Sequence, residues 1–176
     1  MAEKLKPEEK SALKNYTGSG YHEINGQMRK CPPDYECVKG ELRDKLDRIE
    51  SALKKAGKLK EPTTVYRGID VKPAVLQNML KLAGKLEGTE REYYMPCLTS
   101  TSASQSFASS WGGDLLFHIV AKTGLYVSAP GKSLSSQGSS EKELLQSSKA
   151  RYKVIAVKES VMVGHNPRPV IYLEEL

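Results

Sequence analysis

Arg67 stands at the end of the β-branched and aromatic run Thr63-Thr64-Val65-Tyr66, and Gly68 follows it. A guanidinium is a planar, permanently charged fork that suits phosphate or carboxylate, and a glycine beside it lets a ligand approach the backbone. A second group is Leu98-Thr99-Ser100-Thr101-Ser102, whose hydroxyls at a strand's end can hold a neighbouring carboxylate or loop in place. Phe107 and Trp111 follow it, and an aromatic there can stack on a flat ring. The third group is Glu141-Lys142-Glu143, after the serine-rich stretch Ser133–Ser140. Alternate residues of a strand point the same way, which puts both carboxylates on one side, about 6 to 7 Å apart, with Lys142 turned away. Taken singly, each group has an ordinary explanation. Arg67 suits a surface ion pair, the serines suit a cap on a short helix over 103–108 with Phe107 and Trp111 in the core, and the glutamates suit a solvated strand end.

The elements that must position these groups change character along the chain. Pro7-Glu8-Glu9 opens a short helix that Thr17-Gly18-Ser19-Gly20 interrupts, and a second helix is expected over Tyr21–Arg29 before Pro32-Pro33. Apolar residues at Val38, Leu42, Leu46, Ile49, Leu53 and Ala56 predict a longer helix with one buried stripe, ended by Gly57. After Pro62 the pattern becomes that of strands. They are expected at Thr63–Tyr66, Tyr94–Thr99, Leu115–Val120, Leu144–Gln146, Arg151–Val157 and Val170–Leu173, with one helix over Pro73–Ala83. That order is α+β, a helical segment followed by a mostly antiparallel sheet assembly.

Composition narrows the function class. At 176 residues the expectation is one domain, and no apolar run approaches the length needed to cross a bilayer. The charged start Met1-Ala2-Glu3-Lys4 lacks the apolar core of a secretory signal, so a cytosolic site of action is expected. Cys31 and Cys37, with five residues between them and no histidine pair nearby, and Cys97 read as free thiols rather than a disulfide framework or a zinc site. The net charge of +6 comes from lysines spread along the chain, which does not describe a nucleic-acid face. Pro130-Gly131-Lys132-Ser133 ends like a phosphate loop, but the pattern needs glycine where Tyr126 stands. His22, His118 and His165 are too scattered for a metal, and His118 reads as a half-buried strand residue.

The order Arg, Ser-Thr-Ser, Glu-x-Glu, each at a strand end, resembles the mono-ADP-ribosyltransferase family of clostridial-toxin and bacteriophage type, with its R-S-E motif set. The likeness extends to Tyr16-x4-Tyr21-x3-Asn25 with Ile24 and Arg29, which resembles that family's amino-terminal NAD-facing element. The resemblance implies a single domain over 1–176, with a helical lobe over 1–60 and a two-sheet, mostly antiparallel β core over 61–176 holding an NAD cleft. It implies NAD as co-substrate without a metal, and a protein target with an exposed arginine. No membrane or nucleic-acid partner is expected, and the chain is expected to be monomeric. By the same resemblance Arg67 and Gly68 meet the NAD phosphates, with Tyr16, Tyr21, Asn25 and Arg29 assisting, since Ser104–Asp114 contains no arginine. Ser100 orients Glu143, and Glu143 is the catalytic carboxylate at the ribose. Glu141 faces the acceptor, and Trp111 stacks on nicotinamide. Glutamate rather than glutamine at 141 implies arginine as acceptor. Two alternatives share these residues: NAD hydrolysis, with water in place of the acceptor, and an inactive binding or structural domain, against which the presence of all three motifs argues.

Overall fold

A computed structural model describes residues 4–31, 35–129, 132–133 and 142–176. Pro7 at the first position with Glu8 and Glu9 in the first turn opens α1 (Pro7–Asn15), because proline loses no needed N–H there and acid complements the positive end of the helix. The expected interruption is a π-helical turn, Tyr16–Gly20, with Gly18 off helical dihedrals, and α2 (Tyr21–Met28) resumes after it. α3 (Gly40–Ala56) buries Leu46, Ile49, Leu53 and Ala56, as the periodicity predicts. Gly57 ends it at φ 67°, where a Cβ would be strained. α4 (Pro73–Leu86) runs past the predicted end at Ala83, and α5 (Gln105–Trp111) is capped by Ser104, whose Oγ accepts from the Phe107 N–H at 3.4 Å.

β1 (Lys58–Ile69) begins before Pro62 rather than after it; Lys60, Glu61 and Pro62 are all exposed, where a missing N–H is tolerated. The strand expected over Tyr94–Thr99 is displaced. Tyr93 makes a single bridge to Tyr152, Pro96 intervenes, and β2 is Thr99–Ser102. β3 (Leu115–Thr123), β7 (Glu143–Gln146), β8 (Tyr152–Val163) and β9 (Asn166–Glu175) contain the predicted cores, whereas β4 (Leu125–Tyr126), β5 (Ser128–Ala129) and β6 (Lys132–Ser133) were not expected.

The chain divides into two compact units whose segments alternate along the sequence. The first comprises Met1–Lys58, Met95–Ser100 and Thr123–Ser148. Its core packs Leu13, Tyr16, Ile24 and Met28 with Ile49, Leu98, Val127 and Leu145, and its strands lie in the order β4, β7, β2. The second comprises Leu59–Tyr94, Thr101–Lys122 and Lys149–Leu176, with strands in the order β2, β1, β3, β9, β8. β2 thus gives its first two residues to one unit and its last two to the other. The α+β class holds, but the expected pair of mostly antiparallel sheets is corrected. Apart from the β5–β6 hairpin no second sheet occurs among the described residues, and β3 pairs with β9 in parallel, so the sheet is mixed.

The expectation of three free thiols is also corrected. Cys31 and Cys37 form a disulfide across a Cα separation of 5.8 Å, and Cys97 is free and buried. Hydrogen bonds from the Tyr35 N–H to the Cys31 carbonyl (3.1 Å) and from the Val38 N–H to the Tyr35 carbonyl (3.0 Å) turn the chain back on itself, which linear spacing does not reveal.

Candidate active site

Glu143 is the first residue of β7 and is buried. Its N–H donates to Ser128 Oγ at 2.7 Å and its carbonyl accepts from the Val127 N–H at 3.0 Å, so the backbone that launches the carboxylate is held on both sides. Lys142 before it has φ 47°, a left-handed conformation that costs a residue with a Cβ about 1–2 kcal/mol. β7 begins at Glu143 with Lys142 outside it, and the expected common direction of Glu141 and Glu143 falls on a residue that the structure does not describe. Glu141 itself lies outside the described residues, as do residues 134–140.

Within the same unit, Tyr16 and Asn25 are interior rather than open to a ligand, at 1% and 2% exposure. Asn25 Nδ2 donates to Tyr16 Oη at 2.9 Å, and Tyr16 Oη donates to the Leu98 carbonyl at 3.4 Å. α2 is thereby tied, through the π turn, to the residues that lead into Ser100. Asn25 Oδ1 has no hydrogen-bond partner among the described residues. Tyr21 is 39% exposed, its ring 3.9 Å from that of His22. The Arg29 guanidinium reaches the Cys97 sulfur at 3.8 Å. Along β2, Thr99, Thr101 and Ser102 are buried and Ser100 is half-buried.

In the second unit Arg67 is half-buried on β1, on the strand face shared with the fully buried Val65. Its charge is felt by the buried Tyr152 phenol. Burial, then the Glu175 carboxylate, pushes that phenol far up, against the opposing pull of Arg67 and Arg151. Glu175 is 3% exposed and accepts the Lys122 N–H at 2.6 Å. The close approach that Gly68 permits is made by α5: a Cβ at Gly68 would strike the carbonyl oxygens of Ala108 and Gly112. A Cβ at Gly112 would in turn strike the backbone of Ile69 and Asp70.

The exit of α5 is fastened to the end of β1 by a reciprocal clamp. The Asp114 N–H donates to the Ile69 carbonyl at 3.1 Å, the Gly113 N–H to Asp70 Oδ1 at 2.7 Å, and the Val71 N–H to Asp114 Oδ2 at 3.0 Å. Arg168, buried on β9, adds a bond from Nη1 to the Gly112 carbonyl at 3.2 Å. Trp111, expected to stack on nicotinamide, is half-buried and packs with Tyr66 and Tyr172 against Ala108, Leu116, Val163 and Val170. Phe107 is half-buried outside that cluster. His118 is half-buried between the Tyr66 and Tyr172 rings, at 5.2 and 4.9 Å between centroids, and burial lowers its pKa against a backbone hydrogen bond.

Sequence reasoning missed Ser128, Arg168 and the Asp70–Asp114 clamp. Asp114 directly after Gly112-Gly113 is a turn signal that points to one half of the clamp, but nothing local marks Asp70, Ser128 or Arg168. Among the described residues no group of three or more His, Cys, Asp or Glu could hold a metal ion, and no helix is long and apolar enough to cross a membrane.

The element order and the placement of Arg67, Ser100 and Glu143 at strands define a class. The chain belongs to the ADP-ribosyltransferase exoenzyme family, whose family model matches residues 1–172. It is similar to the NAD(+)–arginine ADP-ribosyltransferase of Enterobacteria phage T4, 26% identical over 115 residues, which cover 63% of this chain and 16% of that protein. The match therefore spans only a small part of that relative's length. Among solved structures it resembles the ADP-ribosyltransferase HopU1 of Pseudomonas syringae pv. Tomato DC3000 (TM-score 0.78, 19% identity, 98% of this chain and 78% of that one). It also resembles exoenzyme S of Pseudomonas aeruginosa, solved with human 14-3-3 protein beta and carba-NAD (TM-score 0.74, 20% identity, 96% and 73%). At these identities the structural likeness speaks for the fold.

Proposed function

We propose that the chain breaks the nicotinamide–ribose bond of NAD and transfers ADP-ribose to an arginine of a target protein. The observation that carries this reading is Glu143, a carboxylate buried at the head of a strand with its backbone held by Ser128 and Val127. Family membership supports it, as do the NAD analogue bound by exoenzyme S and the arginine specificity in the phage relative's name.

As nicotinamide leaves with the bonding electron pair, the ribose gains positive charge, and a fixed carboxylate at the 2′-hydroxyl steadies that charge more than the ground state. Arg67 holds a phosphate with its charged fork. Ser100 orients Glu143, while Tyr16 and Asn25 serve by holding the Leu98–Ser100 segment rather than by touching NAD. A guanidinium nitrogen of the target then forms the new bond to the anomeric carbon. Because arginine's pKa lies above about 12, that nitrogen must give up a proton, and Glu141 is assigned to align it and accept the proton.

Incubating the pure protein with labelled NAD and a cell lysate, then mapping the modified residue, tests the reading. With the label in the ADP-ribose part of NAD, label bonded to arginine and appearing as nicotinamide is released is expected. Nicotinamide production with no labelled protein would make the chain a hydrolase, and neither product would remove the enzymatic reading.

A further inference from the structure

β7 has only four residues, and β4 pairs with it at Leu125↔Leu145 and Tyr126↔Leu144. β2 flanks β7 on its other side, but strands of two and four residues give these ladders few rungs, and a slip of one residue would turn the Glu143 side chain to the opposite face. The strand's far end is held by another element. Glu50, on α3, accepts hydrogen bonds from Ser147 Oγ (2.6 Å), the Ser148 N–H (3.1 Å) and Ser148 Oγ (2.5 Å). Ser147 takes Oε2 and Ser148 takes Oε1, so both carboxylate oxygens are committed to two consecutive residues.

Charge-assisted bonds of this kind are short and directional, and two of them in sequence fix position along the strand axis, which apolar packing does not. The carboxylate stands on an anchored base, because its neighbour Ile49 is fully buried in the core of the first unit and Ser148 is 3% exposed. Between the two pinned ends Gln146, fully buried, donates from Nε2 to the Thr123 carbonyl at 3.4 Å.

We infer that Glu50 is a positioning residue for Glu143: by clamping Ser147 and Ser148 it fixes the register of β7, with Ser128 holding the strand's other end. This rests on the reading of Glu143 as the carboxylate that acts on NAD. A side chain on a helix far from Glu143 in sequence thereby sets where that carboxylate stands.

The test uses Glu50→Ala and Glu50→Gln in the full chain, alone and combined with Glu143→Gln. Nicotinamide release is measured at varied NAD, and backbone hydrogen exchange is followed over residues 143–148. Glu50→Ala is expected to lower kcat at least tenfold while KM for NAD stays within twofold, and to speed exchange in 143–148 with α3 still protected. Glu50→Gln keeps one acceptor oxygen and should recover part of the loss. In the Glu143→Gln background Glu50→Ala should cost nothing further, since a residue that acts through Glu143 has nothing left to position; a general loss of stability would add. Unchanged exchange in 143–148, or a kcat within twofold of wild type in the folded Glu50→Ala protein, would overturn the inference. If exchange rises as expected but Glu143→Gln keeps wild-type activity, the assignment of Glu143 is what fails, and the catalytic part of the inference goes with it.

Discussion

Replacing Glu143 with glutamine removes one negative charge from a buried position while keeping the side chain's volume, so the variant should fold and yet lose both NAD cleavage and transfer. The expected loss is more than tenfold in kcat/KM, at least about 1.4 kcal/mol of transition-state stabilisation, read as nicotinamide release beside a circular-dichroism check of fold. Glu141→Gln separates the two activities. A neutral amide can neither align nor deprotonate a guanidinium, whereas water needs no such help, so transfer to arginine should fall at least tenfold while nicotinamide release stays within about threefold. Equal loss of both activities would end the division of labour between the glutamates. At this scale the motif residues stood out by their order along the chain, since their types taken singly are common. The surroundings were not: a serine at 128 or a glutamate at 50 looks like any other until folding brings it to Glu143 or to Ser147 and Ser148.

The α5 contact makes an element-scale prediction with its own control. Gly68 and Gly112 are places where backbones nearly touch, and an alanine at either has no flexible side chain to push aside. Each substitution should cost about 2 kcal/mol or more, seen as a lowered Tm, because α5 must lift from β1. Gly84, inside α4, has nothing within 4 Å of where a Cβ would stand, so Gly84→Ala should raise stability by about 0.5–1 kcal/mol. A rise at all three positions, or a fall at all three, would contradict this account. Helices were readable from the sequence because apolar spacing and terminal chemistry are local, as at Pro7, Ser104 and Gly57. Most strands were readable, β7 among them at four residues, but the shortest were not. β4, β5 and β6, at two residues each, show no alternation to detect, and the entry to β2 was misjudged because Tyr93 and Tyr94 have strand character while Pro96 keeps the chain out of a ladder. The parallel pairing of β3 with β9 joins residues far apart in sequence, and no local pattern announces it.

For the whole molecule, acid stability follows from one clasp. Glu9 accepts hydrogen bonds from Lys55 Nζ at 2.7 Å, Ser51 Oγ at 2.8 Å and the Lys6 N–H at 2.8 Å, binding α1 to α3. Burial pushes its pKa up, but the bonds from Lys55, Lys6 and Ser51 and the Lys55 charge together outweigh it and bring it down from 4.5 to about 2. A depressed carboxylate pKa stabilises the fold fully above the unfolded value and loses that contribution as pH falls through the folded one. The clasp should therefore act unchanged from pH 7 to about 5 and fade between about 4.5 and 2, contributing at most about 3 kcal/mol. Urea midpoints across this range should fall less steeply in Glu9→Gln than in wild type, and parallel curves would exclude the clasp as a source of acid sensitivity.

The alternation of the two units along the chain bears on how such proteins can diversify. The sequence crosses from one unit to the other after Lys58, Tyr94, Ser100, Lys122 and Ser148. No single recombination between two related genes can therefore pass on both units intact from different parents, since wherever the crossover falls at least one unit is assembled from both. Contacts within that unit would have to tolerate two ancestries at once. New variants should accordingly arise by point substitution and loop exchange more readily than by shuffling, and chimeras built in the laboratory should survive best when their junctions fall at Lys58 or Ser148, where one unit is inherited whole.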